Sequence, residues 1–147
     1  MTATDTDVRL HVMRSLLDTG RAPSAEETAA ALRMEPAEAG EAYRRLADGR
    51  VLVLQPGSLD VWMANPLSAV PTPFLVRTAD RDLFGNCIWD ALGVLAMLGE
   101  DGSVETRCPD CGAALVLEVQ QGALRPGLGV IHFAVPAARW WEDIGYT

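Results

Sequence analysis

Between Asn65 and Pro73 the chain reads Asn-Pro-Leu-Ser-Ala-Val-Pro-Thr-Pro, three prolines in nine positions. Proline fixes φ at about −65° and lacks a backbone donor, so a helix cannot run through this stretch. It reads as an extended connector. On that basis the chain divides into residues 1–65, a connector at 66–73, and residues 74–147, and the two flanking parts have different patterning.

The first part is helical by periodicity. Val8, Val12 and Leu16 form one row, with Leu10, Met13 and Leu17 beside it, which predicts an amphipathic helix over residues 6–19 that ends near Gly20. Ser24 followed by Glu27 is a capping box for a second helix through Leu32. Pro36 suits the first turn of a third helix running to about Ala47, and Asp48-Gly49 stops it. Val51–Leu54 and Val61–Ala64 then flank Gln55-Pro56-Gly57-Ser58 as a hairpin. Three helices and a hairpin spell a winged-helix-like unit.

Such a unit invites a nucleic-acid reading, with Arg44 and Arg45 on the third helix reaching phosphate. The charge argues against it. Residues 1–50 hold seven arginines against nine acids, and the whole chain carries a net charge of −8. All twelve basic residues are arginine. The three cysteines cannot all pair, and no basic and apolar leader opens the sequence, so the expectation is a reducing, cytoplasmic setting with free or metal-bound thiols. No apolar run approaches the roughly 20 residues that span a bilayer.

The second part predicts a small sheet packed by one apolar helix. Phe74–Arg77, Asp82–Phe84, Val104–Arg107, Ala114–Gln120 and Val130–Val135 read as strands, and Pro136 opens a helical segment over residues 137–143. In that segment Trp140 and Trp141 are expected to give one ring to the core and one to the surface. The fold class is therefore α+β: a winged-helix-like three-helix region plus a small mixed β-sheet domain packed by helices.

The chemistry is concentrated in Asn-Cys-Ile-Trp-Asp. A helix beginning near Asn86 places Cys87 in its first turn, where free N–H groups and the helix dipole favour a thiolate and lower the pKa below about 8.5. Cys87 is accordingly the expected most reactive thiol. Asp90, three residues on, projects from the same side. A plainer reading stands beside this one: an acid in a first turn is a common cap, and cysteine is often simply buried.

Cys108-Pro109-Asp110-Cys111-Gly112 is a Cys-x-x-Cys knuckle and resembles half of a zinc site. The readings are a turn with unligated thiols, a metal site, or a reversible disulfide. A full set would draw on Cys87, Cys108, Cys111 and His132, at the expense of the thiol at Cys87. His132, alone in an apolar run, is expected in the core or at an interface.

Four segments together carry a resemblance: Asn-Pro-Leu-Ser-Ala-Val-Pro-Thr-Pro-Phe, Asn-Cys-Ile-Trp-Asp-Ala-Leu-Gly, Arg-Cys-Pro-Asp-Cys-Gly and His-Phe-Ala-Val-Pro-Ala-Ala-Arg-Trp-Trp-Glu-Asp-Ile. They resemble the alkylmercury lyase (organomercurial lyase) family, in particular its short bacterial members. The resemblance implies protonolytic cleavage of a carbon–mercury bond without an organic cofactor, Cys87 binding mercury and Asp90 donating the proton. It places Cys108 on a cysteine of structural role, and the family's second catalytic cysteine at Thr147 or just beyond. With one thiol at the site, cleavage is expected to be weak or lost unless a low-molecular-weight thiol substitutes. The alternatives are a non-catalytic thiol protein of the same fold binding Hg, Zn or Cu, and a winged-helix regulator responding to metal or redox state. A homodimer through the tryptophan-rich end is a further expectation.

Overall fold

The computed structural model describes residues 3–127 and 129–145. Helix α1 (Ala3–Thr19) buries Val8, Val12 and Leu16, the row expected from periodicity. Helix α2 (Ala25–Leu32) opens on the capping box, with Glu27 N–H donating to Ser24 Oγ at 3.1 Å and Ser24 N–H to Glu27 Oε2 at 2.8 Å. Helix α3 (Pro36–Asp48) has proline in its first turn, where a missing N–H costs nothing. Tyr43 of α3 is fully buried, and its hydroxyl donates to Pro23 O at 2.9 Å and meets Thr28 Oγ1 at 2.8 Å. Those bonds satisfy a polar group that would otherwise be stranded in the core.

A three-stranded antiparallel sheet follows, in the order β1 (Val53–Leu54), β2 (Val61–Ala64), β3 (Leu67–Ser68). Leu67 and Ser68 of the proline-rich stretch are thus buried and paired with β2. The second sheet has the order β5-β4-β6-β7-β8 and is antiparallel throughout: β4 (Leu75–Arg77), β5 (Asp82–Phe84), β6 (Gly102–Arg107), β7 (Ala114–Gln120) and β8 (Ala123–Leu124). Helix α4 (Ile88–Leu98) lies against β4 and β6 and buries Ala91, Val94 and Leu95. Val76 and Val104, partners in register, are both fully buried, while Arg77 on the opposite face bonds Glu105 and Asp82 in solvent. This alternation follows from the two-residue period of a strand. One hydrophobic cluster runs from α1 through α4 and both sheets.

Several expectations fail near the C-terminal end. Residues Val130–Val135 do not form a strand. Gln121 and Gly122, at φ +55° and +71°, turn the chain straight back, so β8 takes the edge beside β7; Pro126, Gly127 and Gly129 then break the run. Val130 is left 92% exposed. His132 is exposed too, not in the core. The segment after Pro136 is a 3-10 helix, Ala137–Glu142, with no buried residue. Neither tryptophan enters the core: Trp140 is half-buried, with Nε1 donating to Val135 O at 2.7 Å and its ring 5.1 Å from that of Phe133, and half-buried Trp141 receives the Arg50 guanidinium at 5.2 Å.

Candidate functional site

The site is built where β5 gives way to α4. Cys87 is the residue immediately before the helix: its backbone is extended (φ −142°, ψ −178°), its carbonyl accepts the first helical bond from Ala91 N–H at 2.9 Å, and its Sγ accepts Asp90 N–H at 3.4 Å. The thiol thus occupies the N-cap, a place usually held by a Ser, Thr, Asp or Asn oxygen. Cys87 is therefore not in the first turn, as the sequence suggested, but caps it.

Three contacts hold this corner. Gly85 bridges to Leu67, and its N–H donates to Phe74 O at 3.0 Å. Thr72 Oγ1 donates to Gly85 O at 2.6 Å. A Cβ on Gly85 would lie 2.5 Å from Ala91 N and Cα, so only glycine lets α4 start so close to the strand.

Asp90 is held by an amide. Asn86 Nδ2 lies 3.1 Å from Asp90 Oδ2, 3.0 Å from Asn65 Oδ1 and 3.3 Å from Pro66 O, while its own Oδ1 is buried and, among the described residues, unpartnered. The hydrogen bond that joins the two residues runs from Asp90 N–H to Cys87 Sγ, and both side chains are half-buried. Burial raises both their pKa values; the Asp90 N–H only partly offsets this at sulfur, and Asn86 and Cys87 only partly offset it at the carboxylate. The expectation of an acidified Cys87 is thus reversed, because desolvation outweighs the helix terminus. Trp89, two residues after the thiol and adjacent to Asp90 in sequence, is 63% exposed.

The knuckle lies on the turn joining β6 to β7. Cys108 N–H donates to Ala113 O at 2.8 Å and Gly112 N–H to Cys108 O at 2.9 Å. The N–H groups of Cys111 and Asp110 face the Cys108 sulfur and hold its pKa below the ordinary thiol value. The two shifts run in opposite directions, so thiolate is favoured at Cys108 and disfavoured at Cys87. All three cysteines are free, and among the described residues no group of three His, Cys, Asp or Glu side chains is placed to hold a metal. A site from Cys87, Cys108, Cys111 and His132 is not assembled.

The sequence profile of the alkylmercury lyase family matches residues 67–147, more than half of the 147 residues. The chain belongs to the alkylmercury lyase family. Among solved structures, the crystal structure of the mercury-bound form of MerB2 resembles this one with a TM-score of 0.69 at 20% identity, over 86% of this chain and 60% of that chain. At that identity the likeness concerns the fold, and it agrees with helices combined with antiparallel sheets. This chain accounts for 60% of that structure's length. Comparison with curated proteins returned no match. Among the described residues no helix is long and apolar enough to cross a membrane.

Asn86, Asn65, Thr72 and Gly85 are the site residues that pattern reasoning passed over. The Thr72–Gly85 and Asn65–Asn86 contacts join positions 13 and 21 residues apart in the chain, and no periodicity reports a pairing of that kind. Thr147, where the family's second catalytic cysteine was expected, lies outside the described residues.

Proposed function

We propose that this alkylmercury lyase family member cleaves carbon–mercury bonds by protonolysis, with an organomercurial as substrate, Cys87 as the mercury-binding thiol and Asp90 as the proton carrier. The observation that supports it most is that Asp90 N–H bonds Cys87 Sγ at 3.4 Å while Asn86 fixes the Asp90 carboxylate at 3.1 Å, so a half-buried thiol and a half-buried acid, both with pKa raised by burial, share one helix start. A thiol kept protonated at neutral pH brings its own proton to the reaction. Soft mercury prefers sulfur, so Cys87 Sγ forms the S–Hg bond and its proton passes to Asp90. The carboxylic acid then delivers that proton to the carbon ligand; the C–Hg bond breaks, its electron pair forms the new C–H bond, and Hg(II) stays on sulfur. A raised carboxyl pKa suits this step, since the donor must hold a proton before it gives it up. A low-molecular-weight thiol supplies the second sulfur ligand and carries the mercuric product away.

The test is hydrocarbon release from a phenylmercury salt with excess small thiol, read by gas chromatography. Benzene formation above the protein-free rate, lost in Cys87→Ser, is expected; equal rates with and without protein would refute the proposal.

One observation favours a second reading, mercury binding without cleavage: among the described residues no further thiol joins Cys87 and Asp90 in a metal-holding group. The regulator reading has less support, since Arg45 Nη2 is committed to buried Asp5 at 2.6 Å instead of being available to phosphate.

A further inference from the structure

The turn between β6 and β7 carries two thiols that the chemistry at Cys87 does not use. Its backbone bonds, with Gly112 at φ +70°, close a compact loop in which the Asp110 and Cys111 N–H groups and the Cys111 side chain all approach the Cys108 sulfur. Cys111 is exposed and Cys108 half-exposed, and neither is in a disulfide. Backbone donors around one sulfur stabilise negative charge there whether it comes from a thiolate or from a metal-bound thiolate. The ligand count then selects the cation. Zinc in a structural site takes four protein ligands in a tetrahedron, and the described residues place no third His, Cys, Asp or Glu with these two sulfurs. Hg(II) and Cu(I) are soft d10 ions that two thiolates satisfy in a linear arrangement.

The register also fixes where the turn lies. Leu75 is opposite both Phe84 at the end of β5 and Glu105 near the end of β6. The exits toward Cys87 and Cys108 are therefore at the same end of the sheet, with only β4 between them. Two inter-strand spacings separate those strands, about 10 Å.

We propose that Cys108 and Cys111 form a second metal site, a dithiol clamp that binds a soft two-coordinate cation, Hg(II) being the case tested. Binding replaces two S–H bonds by two S–Hg bonds and releases two protons; no electron is transferred. It does not depend on cleavage at Cys87, whereas a role in accepting the mercuric product from Cys87 rests on the function proposed above.

The experiment uses reduced Cys87→Ser protein, which cannot bind mercury at Cys87 and retains a good N-cap residue. Mercuric chloride is titrated in the presence of excess monothiol, and thiolate–mercury absorption in the ultraviolet is recorded. One Hg(II) per chain is expected, with affinity falling by about 10²–10⁴-fold when Cys111→Ser is added, because a chelate becomes a single contact. The exposed position of Cys111 keeps that second variant folded, which circular dichroism checks. Equal affinity with and without Cys111 would overturn the site. So would tight 1:1 zinc binding that survives dialysis against a chelator, since that requires ligands the two-coordinate clamp does not have.

Discussion

Replacing Gly85 by alanine tests how the thiol is positioned, and the structure sets the magnitude. The added Cβ would sit 2.5 Å from Ala91 N and Cα and 2.7 Å from Ala91 Cβ. These are mainly backbone atoms on a helix that is packed on β4 and β6, so no rotamer change relieves the overlap; α4 must shift or Gly85 must leave its bridge to Leu67. Overpacking of this kind costs about 1–3 kcal/mol, which for a chain of this size lowers Tm by roughly 3–9 °C. Gly93 is the internal control. It lies on α4 where a Cβ meets only Pro66 Cβ, at an ordinary 3.6 Å, so Gly93→Ala removes helix-interior glycine without a clash and should stabilise by about 0.5–1 kcal/mol. Thermal unfolding followed by far-ultraviolet circular dichroism reads both. Mercury-dependent chemistry should fall in Gly85→Ala and persist in Gly93→Ala, since only the former moves the first turn of α4. A Gly85→Ala protein with unchanged Tm, or one less perturbed than Gly93→Ala, would refute the close-packing argument.

Other outcomes follow from the same corner. With limiting iodoacetamide at neutral pH, peptide mapping should find Cys108 labelled before Cys87; labelling of Cys87 should continue to accelerate above about pH 8.5, the ordinary thiol range, because burial raises its pKa. Folded Asp90 binds its proton more tightly than the unfolded chain does, so its contribution is fully present below the unfolded value of about 3.9 and is lost as pH rises through the higher folded value. The parent should therefore gain stability relative to Asp90→Asn as pH falls through that window, in paired urea titrations; a gap that is flat with pH would contradict the assignment. Asn86→Ala removes the amide donor to Asp90 Oδ2. Since hydrogen bonds to charged groups contribute about 1.5–3 kcal/mol, cleavage should fall with its pH profile displaced upward, while mercury binding is retained.

Much of the fold was legible because its signals are local. The Ser24–Glu27 capping box, the Val8–Val12–Leu16 row, Pro36 at a helix start and the Val- and Leu-rich run Ala114–Gln120 each act within a few residues, and each element formed where expected. The misreadings share a cause. Val130–Val135 has strand composition, but whether it pairs depends on which segment reaches the edge of β7, and the tight Gln121–Gly122 turn gives that edge to Ala123–Leu124. Cys87 and Asp90 stood out by type and spacing, yet their ionisation turns on burial, a tertiary property that reverses the effect of the helix terminus. The link from Asn65 through the Asn86 amide to the Asp90 carboxylate was invisible for the same reason, as the Asn65–Asn86 contact, 21 residues apart, exists only once β3 and the end of β5 meet.

The most direct test of the central claim is hydrocarbon released per mercury bound in Asp90→Asn against the parent, both with excess small thiol. Asparagine can still accept a hydrogen bond from Asn86 but carries no transferable proton. The account predicts stoichiometric mercury binding through Cys87 in both proteins, with release slowed by about 10²–10⁴-fold in the variant, the usual contribution of a positioned general acid. Equal release from the two proteins would contradict it and leave Asp90 as a helix-capping residue alone.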